Sequence, residues 1–246
     1  MTNRRAKAII AVFGGSDAKA VAFAKRLGVA IAARNQILLT GGKQCGTEAV
    51  KDSAICGVGS SPWIGVHRPG STPKQADCYE KDAGFVILSD LDHKRNYLEA
   101  ALCDAAIGLT GKDGTYSEVV FALSLHRPVA LIGDSWKAKW PVNPLEGPKA
   151  AARAAMSRVG IVVNDRPLLR KLLNEETILL GLKSLPADRY RTFGSEDKVQ
   201  PEDVIDWILA SLKQENNLEL GGDFPVIDGD VKVKNRYREW LAEHTA

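Results

Sequence analysis

The 246 residues are 45% hydrophobic and 26% charged, with a formal net charge of +3 at pH 7, which is typical of a globular protein whose core needs neither disulfides nor metal ions. So small a positive charge argues against a dedicated nucleic-acid binder. No apolar run approaches the roughly 18 to 20 residues that cross a membrane, so no membrane span is expected.

Apolar, β-branched runs alternate with helical patterns from the start of the chain. The first run, AIIAVF at 8–13, is closed by two glycines, and Ser16 and Asp17 then offer N-cap oxygens to a helix over 18–34. Further strands are predicted at 36–40, 63–66, 85–88, 105–110 and 128–133, and further helices at 47–56, 90–103 and 115–126. Such alternation predicts an α/β fold, a doubly wound and mainly parallel sheet with helices on both faces.

The pattern is weaker toward the C-terminus. It predicts a last strand at 160–164, a helix at 166–173, a polar loop at 185–198 and an amphipathic helix at 201–214 with proline in its first turn. We therefore expect a Rossmann-like nucleotide-binding domain over residues 1–164 and a C-terminal extension over 165–246 packed on the same domain. Alternating cations in the tail indicate an edge strand protected by charge or, as an alternative, a nucleic-acid-binding ridge: Lys232, Lys234, Arg236 and Arg238.

Three glycine-containing turns follow predicted strands, at 13–17, 40–47 and 109–115. Ligands of open α/β sheets bind outside the carboxyl ends of the strands, and each turn leads into a helix whose free N–H groups favour an anion. A phosphate-containing ligand is therefore predicted. Ala106 and Asp113 stand where a Walker A loop needs glycine and a hydroxyl residue, so a P-loop ATPase is excluded. The predicted ligand-binding residues are Gly14, Gly15, Ser16, Gly41, Gly42, Lys43, Gly46, Thr110, Gly111, Lys112, Gly114 and Thr115.

The most specific block runs from 93 to 123 and contains HKRN at 93–96 and TGKDGTYSE at 110–118. Here the sequence resembles the LOG family, long labelled lysine decarboxylase-like, within the SLOG superfamily of nucleotide-binding Rossmann domains. Members of that family carry an HxRK context on one helix and PGGxGTxxE after the next strand. Arg95 falls on the family's arginine and Glu118 on its final glutamate.

The LOG family members with known activity are phosphoribohydrolases, which cleave the N-glycosidic bond of a nucleoside 5′-monophosphate into base and ribose 5-phosphate. The resemblance implies Arg95 and Glu118 as catalytic residues, an AMP-like nucleotide ligand, no required cofactor, and a homodimer or higher homo-oligomer. Glycosidic cleavage builds positive charge on the ribose, which suits a carboxylate such as Glu118. Alternatively, Glu118 is a first-turn carboxylate favoured by the helix dipole and Arg95 is a surface residue.

Thr110, Lys112 and Ser117 differ from the LOG motif, so other functions stay open. One is binding without catalysis, as a nucleotide sensor or a carrier of a phosphorylated cofactor such as molybdopterin, because related branches of the superfamily do this. Single-stranded nucleic-acid binding through the tail ranks last. The histidines lack metal-ligand spacing, so no metal site is predicted. Four cysteines without a CxxC pair suit the reduced thiols of a cytoplasmic protein.

Overall fold

Parallel strands and helices alternate through the structure, a computed structural model that describes residues 7–42, 49–67, 84–89, 95–136, 178, 180–182 and 185–214. The elements are β1 (Ile9–Phe13), α1 (Ala18–Ala33), β2 (Ile37–Thr40), α2 (Val50–Val58), β3 (Trp63–His67), β4 (Gly84–Leu88), α3 (Arg95–Leu102), β5 (Ala105–Gly108), α4 (Asp113–Ser124), β6 (Val129–Leu131), β7 (Tyr190–Thr192) and α5 (Pro201–Gln214). The strand predicted at 160–164, the helix at 166–173, the boundary after 164 and the basic tail lie outside the described residues.

The strands form one sheet in the order β4-β3-β2-β1-β5-β6-β7, and every neighbouring pair is parallel. Ile10 of β1 aligns with Leu38 of β2 on one side and with Ala105 of β5 on the other. The predicted doubly wound α/β fold is confirmed. Because the sheet grows outward in opposite directions from β1, its topological switch point lies between β1 and β5, where ligands of such sheets bind.

The sheet is covered on both faces, which explains its continuous apolar strands. All five residues of β1 are buried. Helices α1, α2 and α5 contribute to the core on one face, and α3 and α4 to the core on the other. Helix α1 begins after Asp17, whose carboxylate accepts hydrogen bonds from the backbone N–H groups of Lys19 and Ala20 at 3.0 and 3.1 Å. The predicted N-cap therefore fixes the direction in which the chain leaves β1.

The prediction of a polar loop at 185–198 is wrong, because this segment contains a short 3₁₀ helix and the edge strand β7. Tyr190 of β7 aligns with Val129 of β6. The edge position explains the failure, since Arg191 and Thr192 are exposed and the segment lacks the apolar pattern of a buried strand. Helix α5 has the predicted limits, so β7 and α5 extend the same sheet and core.

Candidate functional site

The loops that follow β1 and β5 meet at the switch point. The Gly15 N–H donates to the Thr110 carbonyl at 3.1 Å, and the Gly15 carbonyl accepts a hydrogen bond from the Val50 N–H at 3.0 Å. These two bonds join both loops to the start of α2. We call the region formed by residues 14–16 and 109–115 the β1/β5 crevice, which contains most of the predicted phosphate-binding residues.

Two glycines of the β1/β5 crevice are required by close packing. A Cβ at Gly14 would lie 2.7 Å from a methyl group of Val50, and a Cβ at Gly111 would lie 2.7 Å from the Cβ of Thr115. Gly114 differs, because apart from its chain neighbours and the backbone of its own helix no described atom lies within 4 Å of the position of its missing Cβ. Gly111 thus lets the buried Thr115 pack on the loop, whereas a side chain at position 114 would meet none of the other described residues at the start of α4.

A buried carboxylate that the sequence did not reveal lies against this crevice. Thr110 donates to Glu196 Oε1 through its hydroxyl at 2.6 Å and through its backbone N–H at 3.4 Å. Glu196 is only 5% exposed. Gly133, at φ +108°, borders the same group, because a Cβ there would lie 2.8 Å from Glu196 Oε1. The hydroxyl and N–H groups of Thr110, a residue predicted to bind phosphate, therefore donate to the carboxylate of Glu196.

Ser117 attaches the start of α4 to α3. The Asn96 amide donates to the Ser117 hydroxyl at 2.8 Å, and that hydroxyl donates to the Gly114 carbonyl at 2.7 Å. Asn96 and Ser117 are both buried, whereas the neighbouring Glu118 is partly exposed. The serine that replaces a glutamate of the LOG motif therefore has a structural role between the two helices.

A second group of residues lies next to the crevice, at the carboxyl ends of β2 and β3. Arg95 Nη1 donates to the carbonyls of Gly41 at 3.0 Å and Val66 at 2.9 Å, and it lies 3.2 Å from Glu99 Oε1. The side chains of Arg95 and Glu99 are 11% and 1% exposed. A buried ion pair thus holds the ends of two neighbouring strands, a region that we call the β2/β3 end.

His67 completes the β2/β3 end. Gly42, at φ +79°, lies so close to the imidazole that a Cβ would come within 2.7 Å of His67 Nε2. Burial, and then the positive charges of Lys51 and Arg95, lower the pKa of His67 to about 4. The imidazole is therefore neutral near pH 7. This environment could not be predicted from the sequence, because it depends on the pairing of β2 with β3.

The structure divides the predicted site residues between these two regions. Gly14, Gly15, Ser16, Thr110, Gly111, Lys112, Gly114 and Thr115 belong to the β1/β5 crevice, and Gly41, Gly42 and Arg95 belong to the β2/β3 end. Lys43 and Gly46 lie outside the described residues. The roles of Arg95 and Glu118 toward a ligand stay predictions, although the guanidinium contacts described above assign Arg95 a part in positioning backbone.

Two further properties concern the described part of the chain only. There, no group of three or more His, Cys, Asp or Glu side chains is placed to hold a metal ion. None of the helices in the same ranges has both the length and the apolar character needed to cross a membrane.

Comparisons with known proteins agree with this architecture. A model of the SLOG cluster4 family matches residues 7–156. The structure resembles the molybdenum cofactor binding protein from the phototrophic bacterium Rippkaea orientalis at 21% identity and a TM-score of 0.52, covering 86% of this chain and 99% of that one. It also resembles the Moco carrier protein from Chlamydomonas reinhardtii at 21% identity and a TM-score of 0.50, covering 83% and 99%. No curated protein matches the chain.

The expectation that no cofactor is required is contradicted by these comparisons, because proteins of this fold are named for binding or carrying one. The physical reason is that glycine turns and helix starts bind a ligand through backbone groups. Such a site leaves no set of liganding side chains in the sequence. At 21% identity the likeness shows a shared fold only. That the chain belongs to the LOG branch of the superfamily stays a prediction.

Proposed function

The chain belongs to the SLOG cluster4 family, and on that premise we propose that it binds and carries a phosphorylated pterin cofactor of the molybdenum-cofactor type without cleaving it. The observation that carries this proposal is the junction of the loops after β1 and β5, where the Gly15 N–H bonds the Thr110 carbonyl at the switch point. Two proteins of the same fold, one named for binding this cofactor and one for carrying it, add support.

The chemistry of the crevice suits a phosphate group. Residue 113 begins α4, so the helix dipole places partial positive charge at residues 111–115. Lys112 is exposed beside this helix start and adds a cation. Among the described residues, the space beside the Gly114 Cα is open, which leaves room for a ligand next to the loop. A phosphate would therefore lie at the start of α4, with the rest of the ligand extending along the crevice.

The environment of Arg95 bears on the choice between a carrier and a hydrolase. Nη1 of its guanidinium bonds two backbone carbonyls and pairs with Glu99. These contacts give Arg95 a part in holding the ends of β2 and β3, and that part requires no catalytic role. The LOG-like phosphoribohydrolase, which depends on Arg95 and Glu118 as catalytic residues, is our second candidate.

Cofactor retention tests the proposal. The purified full chain is incubated with molybdenum cofactor released from a donor enzyme and passed through a desalting column, and molybdenum and oxidised pterin are measured per chain. We expect retention of about one cofactor per chain, consistent with few ligand sites per domain. Gly114→Phe is expected to lose retention and Gly114→Ala to keep it, because only the larger side chain fills the open space. Equal retention by the wild type and Gly114→Phe would contradict the proposal.

Base release distinguishes the hydrolase. A panel of nucleoside 5′-monophosphates is incubated with the wild type and with Glu118→Ala, and free base is measured by chromatography. A carrier is expected to release none from any of them. Release by the wild type that Glu118→Ala abolishes would support a phosphoribohydrolase instead, whereas a thermal shift by a nucleotide without turnover would support a nucleotide sensor. Light scattering during the same preparation tests the predicted homo-oligomer.

A further inference from the structure

We propose that Glu196 is a selectivity residue of the β1/β5 crevice. Its carboxylate occupies the donors of Thr110, confines a bound phosphate to residues 14–16 and 111–115, and favours a ligand with a single phosphate over one with a diphosphate. This inference rests on the proposed function, since it concerns how the same crevice recognises a phosphorylated ligand.

The contact with Thr110 has the geometry of a strong hydrogen bond. The hydroxyl-to-carboxylate distance is 2.6 Å, and the backbone N–H of the same residue reaches the same oxygen at 3.4 Å. In an anion-binding turn, such hydroxyl and N–H donors are the groups that bind a phosphate. Here Glu196 takes them first, so a phosphate at Thr110 would have to displace a buried carboxylate from its partners.

The backbone around Glu196 holds the carboxylate in place. Arg26 of α1 donates to the Glu196 carbonyl at 2.9 Å. On the other side, the Phe193 N–H donates to the Leu131 carbonyl at 2.7 Å, and the Gly133 N–H donates to the Gly194 carbonyl at 3.1 Å. These bonds anchor the segment to α1 and to the end of β6. They therefore fix the position of the backbone from which the Glu196 carboxylate reaches Thr110.

The charge of Glu196 then limits what can bind beside it. Thr110 contacts Glu196 through its side chain and N–H, and contacts Gly15 of the other crevice loop through its carbonyl. A single residue thus separates the carboxylate from the predicted phosphate position. A second phosphate extending toward Thr110 would meet a like charge at short range in a partly buried region, where screening by salt is weak.

Isothermal titration with inorganic phosphate and pyrophosphate tests the inference on the full chain. Glu196→Gln keeps an oxygen acceptor for Thr110 and removes the charge, and Glu196→Ala removes both. Asp197→Asn is the matched control, because Asp197 is the next residue and its side chain is 54% exposed. We expect Glu196→Gln to bind pyrophosphate about fivefold to tenfold more tightly than the wild type, with a smaller gain for phosphate and less than about a twofold change in Asp197→Asn.

Pyrophosphate affinity in Glu196→Gln that equals or falls below that of the wild type would overturn the inference, and so would an equal gain in Asp197→Asn. If Glu196→Ala fails to fold, the glutamine variant alone decides. The cofactor-retention experiment separates this inference from the proposed function. If the wild type retains the cofactor but Glu196→Gln binds pyrophosphate no more tightly, only the selectivity role of Glu196 is rejected. If Glu196→Gln binds pyrophosphate more tightly but the wild type retains no cofactor, only the proposed carrier function is rejected.

Discussion

The β1/β5 crevice and the β2/β3 end lie at the same edge of one sheet but are held by different forces. In the crevice, the two loops are joined by a bond between backbone groups, Gly15 N–H to Thr110 carbonyl. At the β2/β3 end, one buried guanidinium, that of Arg95, bonds both strand termini and pairs with Glu99. Removing one side chain should therefore lower the free energy of unfolding more at the β2/β3 end than in the β1/β5 crevice.

The largest expected effect is that of Arg95→Ala. It removes the cation that pairs with the buried Glu99 and the donor to two carbonyls, which should lower the free energy of unfolding by about 3 to 5 kcal/mol. Urea unfolding followed by circular dichroism measures this loss. Arg34→Ala is the control, because its partner Asp206 is 61% exposed and such a pair contributes about 1 kcal/mol or less. Equal losses in both variants would show that burial of the ion pair is unimportant.

Acid should weaken the β2/β3 end through His67. The folded pKa of about 4 lies below the ordinary 6.5, so the unfolded chain binds more protons and stability falls as the pH drops between these values. The contribution lost by pH 4 is at most about 3 kcal/mol. Unfolding curves from pH 4 to 8 for the wild type and His67→Gln measure it. We expect a shallower decline in the variant, and parallel curves would contradict the assignment.

Within the crevice, the effect of a methyl group should depend on its position. Gly111→Ala forces Thr115 to move and should cost about 2 kcal/mol, as in other overpacked sites. Gly114→Ala places its methyl where the described residues leave space at the start of α4, and it should be neutral or stabilise by about 0.5 to 1 kcal/mol. Thermal melts of the two variants provide the comparison, because both carry the same glycine-to-alanine change at positions only three residues apart. Similar melting temperatures would contradict the packing role of Gly111.

A smaller loss than that of Gly111→Ala is expected for Ser117→Ala, which removes the nearer of two acceptors of the buried Asn96 amide, the other being the Gly114 carbonyl at 3.4 Å. Losing the bond from Asn96, together with the bond from the Ser117 hydroxyl to the Gly114 carbonyl, should cost about 1 kcal/mol. The smallest effect is expected for Ser124→Ala, which removes a hydroxyl that bonds the carbonyl of Phe121 on the same helix and should leave stability almost unchanged. If Ser124→Ala lowers stability as much as Ser117→Ala does, the hydrogen bond between α3 and α4 contributes no more than a bond within one helix.

The regular part of the fold was predictable because its cause is local. The residues of β1 are apolar on both faces, and the glycines that follow mark the end of a buried strand. By contrast, β7 was not predictable, since an exposed edge strand with Arg191 has the composition of a loop. The contact between Thr110 and Glu196 joins residues 86 positions apart and has no local pattern. The same holds for the bonds from Arg95 to Gly41 and Val66.

That 86-residue separation has a consequence for synthesis on the ribosome. The chain is synthesised from the N-terminus at about 5 to 20 residues per second, so the loop after β5 leaves the ribosome several seconds before Glu196 does. During that interval the donors of Thr110 lack their carboxylate. The β1/β5 crevice therefore reaches its final charge only when β7 has joined the sheet.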